Sequence, residues 1–245
     1  MAASVDIPAA ADEIVEDLIA ANKILYQHKV VDAFGHVSVR HDKDAQKYLM
    51  TRYVPPGLVT RDDIVTFDLD SNALDKTGLR YYSERFIHGE IYNARPDVMA
   101  VVHCHAPQLI PFAATKYPLR PLYHMSAFLG CGGCGVPIFD IRDTAGMTDM
   151  LIRTPELGKA LAGSLEDRPM VLMRGHGATI VGFSIKQVVY RSIYAVQNAA
   201  LQMDAIKLGE PVYLADEEAA KAAASGDRVL ERPWSLWKCE AVGDG

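Results

Sequence analysis

The residues of this chain whose types and spacing could do chemistry are three histidines and a glutamate. His103-Cys104-His105 is an alternating pair, and an extended strand sets its imidazoles on one face about 6 to 7 Å apart, close enough to ligate a single ion. A third nitrogen is available at His176. It stands between Gly175 and Gly177 directly after the apolar run Met170-Val-Leu-Met173, and glycine lets backbone turn sharply and crowd a site. Three neutral nitrogens leave coordination positions open, as catalytic metal ions require and structural ones do not. Glu84 would stand beside the metal as the acid/base. Taken singly, each residue also has a structural use: histidines are satisfied by hydrogen bonds, and a carboxylate in a first helical turn complements the helix dipole.

The elements that must position these groups alternate between strand and helix, which indicates an α/β fold. Asp12 to Lys29 carries Ile14, Val15, Leu18, Ile24 and Leu25 at the spacing of an amphipathic outer helix. Short strands are expected at Phe34–Arg40, Tyr48–Met50 and Ile64–Phe67. Ser83 is placed to cap a helix that stops near Ala94-Arg95 before Pro96, which puts Glu84 in its first turn. Val98–His105 is a buried central strand, with Cys104 pointing away from the histidines and given no role. Thr154-Pro155-Glu156 opens another helix. Ser184 with Gln187 forms a capping box for a long helix reaching about Lys207.

At 245 residues, 49% hydrophobic and 23% charged, the chain is expected to form a single domain, 1–245, with a core over about 12–207 and a C-terminal tail, 208–245. The two tryptophans of Arg232-Pro-Trp-Ser-Leu-Trp237 are costly to expose, so the tail is expected to bury them against a neighbouring subunit. The net charge of -6 and the lack of a Lys/Arg stripe argue against nucleic acid or an anionic membrane as partner. The acidic start and the lack of a long apolar run predict a cytoplasmic protein. Cys131-Gly-Gly-Cys134 reads as reduced thiols in a glycine-rich loop.

The order of the motifs resembles one family from roughly Asp12 to Lys207. Gly35-His36-Val37-Ser38, Ser83-Glu84, His103-Cys104-His105 and His176-Gly177 are similar to the Gly-Asn-x-Ser, Ser-Glu, His-x-His and His-Gly series of the class II aldolase/adducin family. The resemblance implies a three-layer α/β/α domain around a mixed, mostly antiparallel sheet. It further implies one divalent metal ion per subunit on His103, His105 and His176, Glu84 as general acid/base, and a homotetramer with sites at subunit interfaces. Mn2+ or Zn2+ is the expected ion, with Fe2+ or Co2+ also suited to three histidines.

The departures from that pattern are equally informative. Sugar-phosphate members seat the phosphate on the Asn of Gly-Asn, a Thr/Ser-Gly turn and a Ser-Ser pair; those places here read as His36, Pro56-Gly57 and Tyr82-Ser83. An imidazole, a proline and a phenol in place of small donors would leave a desolvated phosphate short of hydrogen bonds. His36, Ser38, Gly57 and Ser83 are therefore expected around a different substrate, with Arg52, Arg85 and Arg174 as candidate carboxylate anchors. The family's proton-donating tyrosine, contributed by a neighbouring subunit, falls at Tyr123 or His124. Val30–Ser38, Leu58–Ile64 and Glu84–Tyr92 resemble most a non-sugar branch similar to 3-hydroxy-2-methylpyridine-4,5-dicarboxylate 4-decarboxylase. The resemblance thus implies non-oxidative decarboxylation of a hydroxylated aromatic or heteroaromatic acid. The alternatives are aldol cleavage of an unphosphorylated substrate, iron-dependent oxygenation, and a non-catalytic adducin-like module.

Overall fold

A computed structural model of the protein describes residues 8–130 and 134–243. The first seven residues lie outside it, as does Cys131 with its share of the Cys-Gly-Gly-Cys reading. In chain order the elements are α1 (Asp12–Gln27), β1 (His36–Arg40), β2 (Lys47–Thr51), β3 (Ile64–Asp68), α2 (Phe86–Ala94), β4 (Ala100–Cys104), α3 (Ile110–Ala113), β5 (Ile138–Phe139), α4 (Arg142–Ala145), α5 (Pro155–Leu165), β6 (Met170–Met173), β7 (Gly177–Gly182), α6 (Ile185–Leu208), α7 (Asp216–Gly226) and α8 (Glu231–Val242). The strands form one seven-stranded sheet in the order β3-β2-β1-β4-β7-β6-β5. Every pairing is antiparallel except β5 with β6, so the sheet is mixed and mostly antiparallel as expected.

Helices cover both faces, which makes three layers. β1, β2 and β4 are consequently buried at every position, and strand alternation chooses the covering layer rather than core against solvent. Ala100, Val102 and Cys104 face the core shared with α1, α6 and α8, whereas Val101 joins the core beneath α2 and α5. His103 therefore projects toward the α2 side and Cys104 away from it. Burial pushes the Cys104 thiol up to about 11, which disfavours its thiolate.

Side-chain capping sets the starts of α5 and α6. The Thr154 hydroxyl accepts from the Leu157 amide at 3.4 Å with Pro155 at the first helical position, and the Ser184 hydroxyl accepts from the Gln187 amide at 3.1 Å. Gln187 Oε1 reaches back to the Phe183 amide at 2.8 Å, one residue short of the expected box. At α2 the expectation needs correction: the helix begins at Phe86, Ser83 makes no cap, and Glu84 lies in the turn leading in rather than in the first helical turn.

The tail corrects a second expectation. Trp234 and Trp237 are 3% and 8% exposed within this one chain, packed with α1 and α6, and His28 meets the Trp237 ring edge-on at 5.2 Å. Lys238 Nζ anchors the same helix to Asp17 at 2.6 Å. The tryptophans need no neighbouring subunit to cover them. Among the described residues no helix is long and apolar enough to cross a membrane.

Candidate metal centre

Sheet register builds the site. β1 pairs with β4 so that His36 lies opposite His103, and β4 pairs with β7 so that His103 lies opposite Thr179. Glycines then bring His176 in. Gly175 takes φ +64°, which L side chains rarely adopt, and a Cβ on Gly177 would collide with the Cys104 carbonyl oxygen and sit 3.1 Å from His105 Cα. The β6–β7 hairpin, whose second strand went unrecognised in the sequence, can approach the end of β4 this closely only without a side chain at that position.

His103 Nε2 and His105 Nε2 lie 3.0 Å apart, and His105 Nε2 and His176 Nε2 3.1 Å apart. Glu84 Oε2 stands 3.7 Å from His103 Nε2 and 3.6 Å from His176 Nε2. One ligand atom from each of the four residues falls within 4.8 Å of all the others, the combination that could hold a metal ion.

The surrounding hydrogen bonds fit that use. His176 Nδ1 meets the Met150 carbonyl at 2.9 Å; a carbonyl can only accept, so the proton is on Nδ1 and Nε2 presents a lone pair to the cluster. His103 Nδ1 lies 3.4 Å from the Thr179 hydroxyl, which itself donates to Met173 Sδ, and the same polarity leaves His103 Nε2 bare. The Ile152 amide donates to Glu84 Oε1 at 2.9 Å, holding that carboxylate with its other oxygen toward the histidines. Burial lowers His103 well below the ordinary imidazole value, with neighbouring histidines adding to the effect, and burial also lowers His105. At His176 burial acts in the same direction, but the Glu84 carboxylate and the Met150 carbonyl outweigh it and raise the group.

The other expected site residues divide. His36 is buried with its ring 5.0 Å from that of His103 and 4.7 Å from that of Tyr82. Tyr82 in turn donates its hydroxyl to the Val54 carbonyl, so the two aromatic rings close this side of the cluster. Ser38 and Arg85 have their polar atoms engaged within the chain. The Ser38 hydroxyl is engaged by His88 Nδ1 at 2.6 Å and Tyr92 at 2.8 Å, and the Arg85 guanidinium donates to the Ser71 and Tyr82 carbonyls at 2.9 and 3.2 Å. Both are held by structural bonds. Arg52 pairs with Asp63 at 2.7 Å and Arg174 with Asp140 at 2.7 Å. Arg142, with Arg174 assisting, holds the Asp140 carboxyl well below the usual carboxylate range.

Gly57 packs against the Tyr26 ring, where a Cβ would come within 2.8 Å, and Ser83 is exposed in the turn before α2. Tyr123 donates to Gln197 Oε1 at 3.2 Å and His124 is exposed beside it, so both side chains rest on the α6 side of the sheet. Within one chain no contact joins either residue to the four-residue cluster among the described residues.

Two parts of the site were missed from the sequence. His88, in the first turn of α2, is fully buried and contacts His36 Nδ1 through Nε2 at 2.6 Å. The segment Met150–Ile152 holds both Glu84 and His176 through backbone atoms. Side-chain motifs carry no trace of such contacts.

Comparison with known proteins agrees with this geometry. The model of the Class II Aldolase and Adducin N-terminal domain matches residues 16–203. The chain is 36% identical over 255 residues to decarboxylase tropJ of Talaromyces stipitatus, covering 94% of this chain and 95% of that protein. It is 29% identical over 210 residues to 3,4-dihydroxyphthalate decarboxylase of Arthrobacter keyseri, covering 79% of each. Among solved structures, an aldolase II superfamily protein from Pseudomonas syringae superposes with a TM-score of 0.78 at 22% identity over 98% of this chain and 97% of that one, a likeness of fold. By these matches and the architecture that accompanies them, the chain belongs to the class II aldolase and adducin family and is one of its lyases.

Proposed function

We propose that the protein is a metal-dependent, non-oxidative decarboxylase of a hydroxylated aromatic or pyridine carboxylate or dicarboxylate. The observation that carries this reading is the Glu84, His103, His105 and His176 cluster with the rings of His36 and Tyr82 beside it, at places where the family resemblance implies small phosphate donors in sugar-phosphate members. The similarity to decarboxylase tropJ and 3,4-dihydroxyphthalate decarboxylase supports it, and the second name supplies the kind of substrate. The pyridine-dicarboxylate branch remains a finer form of the same proposal.

His103, His105 and His176 would hold one divalent ion per subunit, Mn2+ or Zn2+ by preference and otherwise Fe2+ or Co2+. When bound, the ion supplies Lewis acidity for the charge that builds on the ring as carbon dioxide departs. The bond between ring carbon and carboxyl carbon breaks, its electron pair stays on the ring carbon, and a proton fills the vacated position. Glu84 is the assigned proton donor, held by the Ile152 amide with its free oxygen turned to the cluster. His124 or Tyr123 of a neighbouring subunit would serve the same step in a homotetramer. Arg52, Arg174 and the Gly57 and Ser83 turns are proposed at the substrate's periphery, the two arginines having first to share their carboxylate partners.

Product analysis with 3,4-dihydroxyphthalate and hydroxypyridine dicarboxylates tests the assignment. The proposal requires carbon dioxide equal to substrate consumed, with no aldehyde formed and no oxygen used. Aldehyde without carbon dioxide would make the protein an aldolase; oxygen consumption coupled to turnover would make it an oxygenase.

A further inference from the structure

A chain of four buried side chains runs from the edge of the site into the protein. His36 Nδ1 meets His88 Nε2 at 2.6 Å, His88 Nδ1 meets the Ser38 hydroxyl at 2.6 Å, and that hydroxyl meets the Tyr92 hydroxyl at 2.8 Å. Exposure is 3% at His36, 1% at Tyr92 and nil at His88 and Ser38. Two imidazole nitrogens 2.6 Å apart have room for one hydrogen between them, and burial lowers His88 to about 3, so that ring is neutral and the His36–His88 contact is made by a single N–H.

Two arrangements of the protons are possible, and they are not equivalent. In the first, Tyr92 donates to Ser38, Ser38 to His88 Nδ1, and His88 Nε2–H to His36 Nδ1; the three contacts use three of the four hydrogens, and the fourth is left on His36 Nε2, at the end of the chain nearest the site, where water or substrate can accept it. In the second, His36 Nδ1–H donates to His88, whose Nδ1–H donates to Ser38. The Ser38 and Tyr92 hydroxyls then have two hydrogens and one acceptor between them. The Val101 amide and the Arg40 guanidinium, 4.7 Å from the Tyr92 ring centroid, are both donors, the Tyr48 ring stands 5.3 Å away with its hydroxyl turned to Ser71, and among the described residues the Tyr92 hydroxyl has no acceptor but Ser38. A buried hydroxyl hydrogen without an acceptor disfavours the second arrangement on the order of tenfold or more.

We infer that Tyr92, Ser38 and His88 are positioning residues that lock His36 as a hydrogen-bond donor, its Nε2–H presented beside the metal cluster to an acceptor oxygen of the substrate. His36 lies opposite His103 across the β1–β4 register, and its Nε2 has no partner among the described residues. The oxygen it fits is a carboxylate or a ring oxyanion, and a substrate bearing a donor at that place is refused. No proton is gained or lost; the chain fixes polarity alone. This selectivity rests on the decarboxylase reading, whereas the proton arrangement does not.

The experiment has two readouts on the full-length metal-loaded protein. Long-range 1H–15N correlation spectra of histidine-labelled protein, loaded with diamagnetic Zn2+ and assigned with His36→Gln and His88→Gln, report which nitrogen of each ring is protonated. The inference requires His36 and His88 both protonated at Nε2; a His36 proton on Nδ1 overturns it. The second readout is kinetic, with 3,4-dihydroxyphthalate as probe. His36→Gln, whose side-chain amide offers a donor near the same place, keeps KM within about threefold, and His36→Leu raises it about tenfold or more with metal content unchanged.

Ser38→Ala, which removes the only donor to His88 Nδ1 among the described residues, gives a mixed His36 tautomer and a raised KM, and Ser38→Thr restores both. A Ser38→Ala protein that loses thermal stability while keeping the His36 tautomer and KM overturns the positioning role. Because the spectra need no substrate, failure of the probe to turn over counts against the decarboxylase reading and leaves the tautomer result to stand or fall by itself.

Discussion

Glu84 Oε1 accepts the Ile152 amide at 2.9 Å, and this leaves Oε2 as the oxygen that faces His176 Nε2 at 3.6 Å. The two oxygens of one buried carboxylate are therefore unequal: one is fixed by backbone and the other is available for chemistry. Glu84→Gln should preserve the first function, since an amide oxygen can still accept from Ile152, and remove the second. The variant is expected to retain metal and to lose turnover by about 10²- to 10⁴-fold, the usual worth of a positioned acid/base. Elemental analysis beside a carbon dioxide assay checks both halves, and full activity would remove Glu84 from the mechanism.

Gly177 offers a different test because its contact is with backbone. A methyl group there meets the Cys104 carbonyl oxygen and His105 Cα, neither of which can swing aside. Gly177→Ala is expected to cost about 1–3 kcal/mol of stability, as other overpacked substitutions do, and to reduce metal content by displacing His105 from His176. Denaturant unfolding and metal analysis of one preparation check this. Wild-type values for both would mean that the hairpin and β4 are less tightly joined than the structure has them.

Acid sensitivity should report the buried histidines. His88 is held by burial at about 3 against an ordinary 6.5, so below pH 6.5 the unfolded chain takes up a proton that the native state refuses. Stability is then full above pH 6.5 and falls on acidification by about 1.4 kcal/mol per pH unit for this group, until pH approaches about 3. His36 and His103 act with the same sign. In chelator-treated protein, His88→Gln is expected to flatten the pH dependence of urea unfolding between pH 6.5 and 4.5 by about one histidine's share; an unchanged slope would mean that His88 is protonated in the native state.

Arg85 was expected as an anchor for a substrate carboxylate, and its partners in the chain give it a second role to test. Its guanidinium donates to the Ser71 and Tyr82 carbonyls, which ties the loop after β3 to the turn carrying Glu84. Arg85→Ala should lower stability by about 1.5–3 kcal/mol, the range for hydrogen bonds to a charged group, with KM little changed. Thermal unfolding and steady-state kinetics distinguish the two roles, and a large KM effect in a stable protein would return Arg85 to the substrate.

These cases also show which parts of the site were legible in the sequence. His103 and His105 were readable because a strand has a fixed period, and His176 because its glycines announced a close approach that Gly177 indeed makes. The placement of Glu84 in a first helical turn failed for want of any local signal to distinguish a helical turn from the turn preceding it. The bonds that Ser38 and Arg85 make within the fold were not legible, because a polar side chain in a motif says nothing of whether its hydrogen bonds go to substrate or to the fold. The backbone of Met150 and Ile152 could not have been found, because a carbonyl and an amide look alike at every position. The tryptophans of α8 were expected at an interface because their apolar character was legible while the groove between α1 and α6 that receives them was not.

The central claim is that carbon dioxide release depends on a divalent ion held by His103, His105 and His176, and the most direct measurement is a titration of chelator-treated protein with Mn2+ or Zn2+ while release from 3,4-dihydroxyphthalate is followed. The account predicts activity that rises in proportion to bound metal and saturates at one ion per chain, with loss of both binding and release in His105→Ala. Carbon dioxide release at full rate from metal-free protein would contradict it.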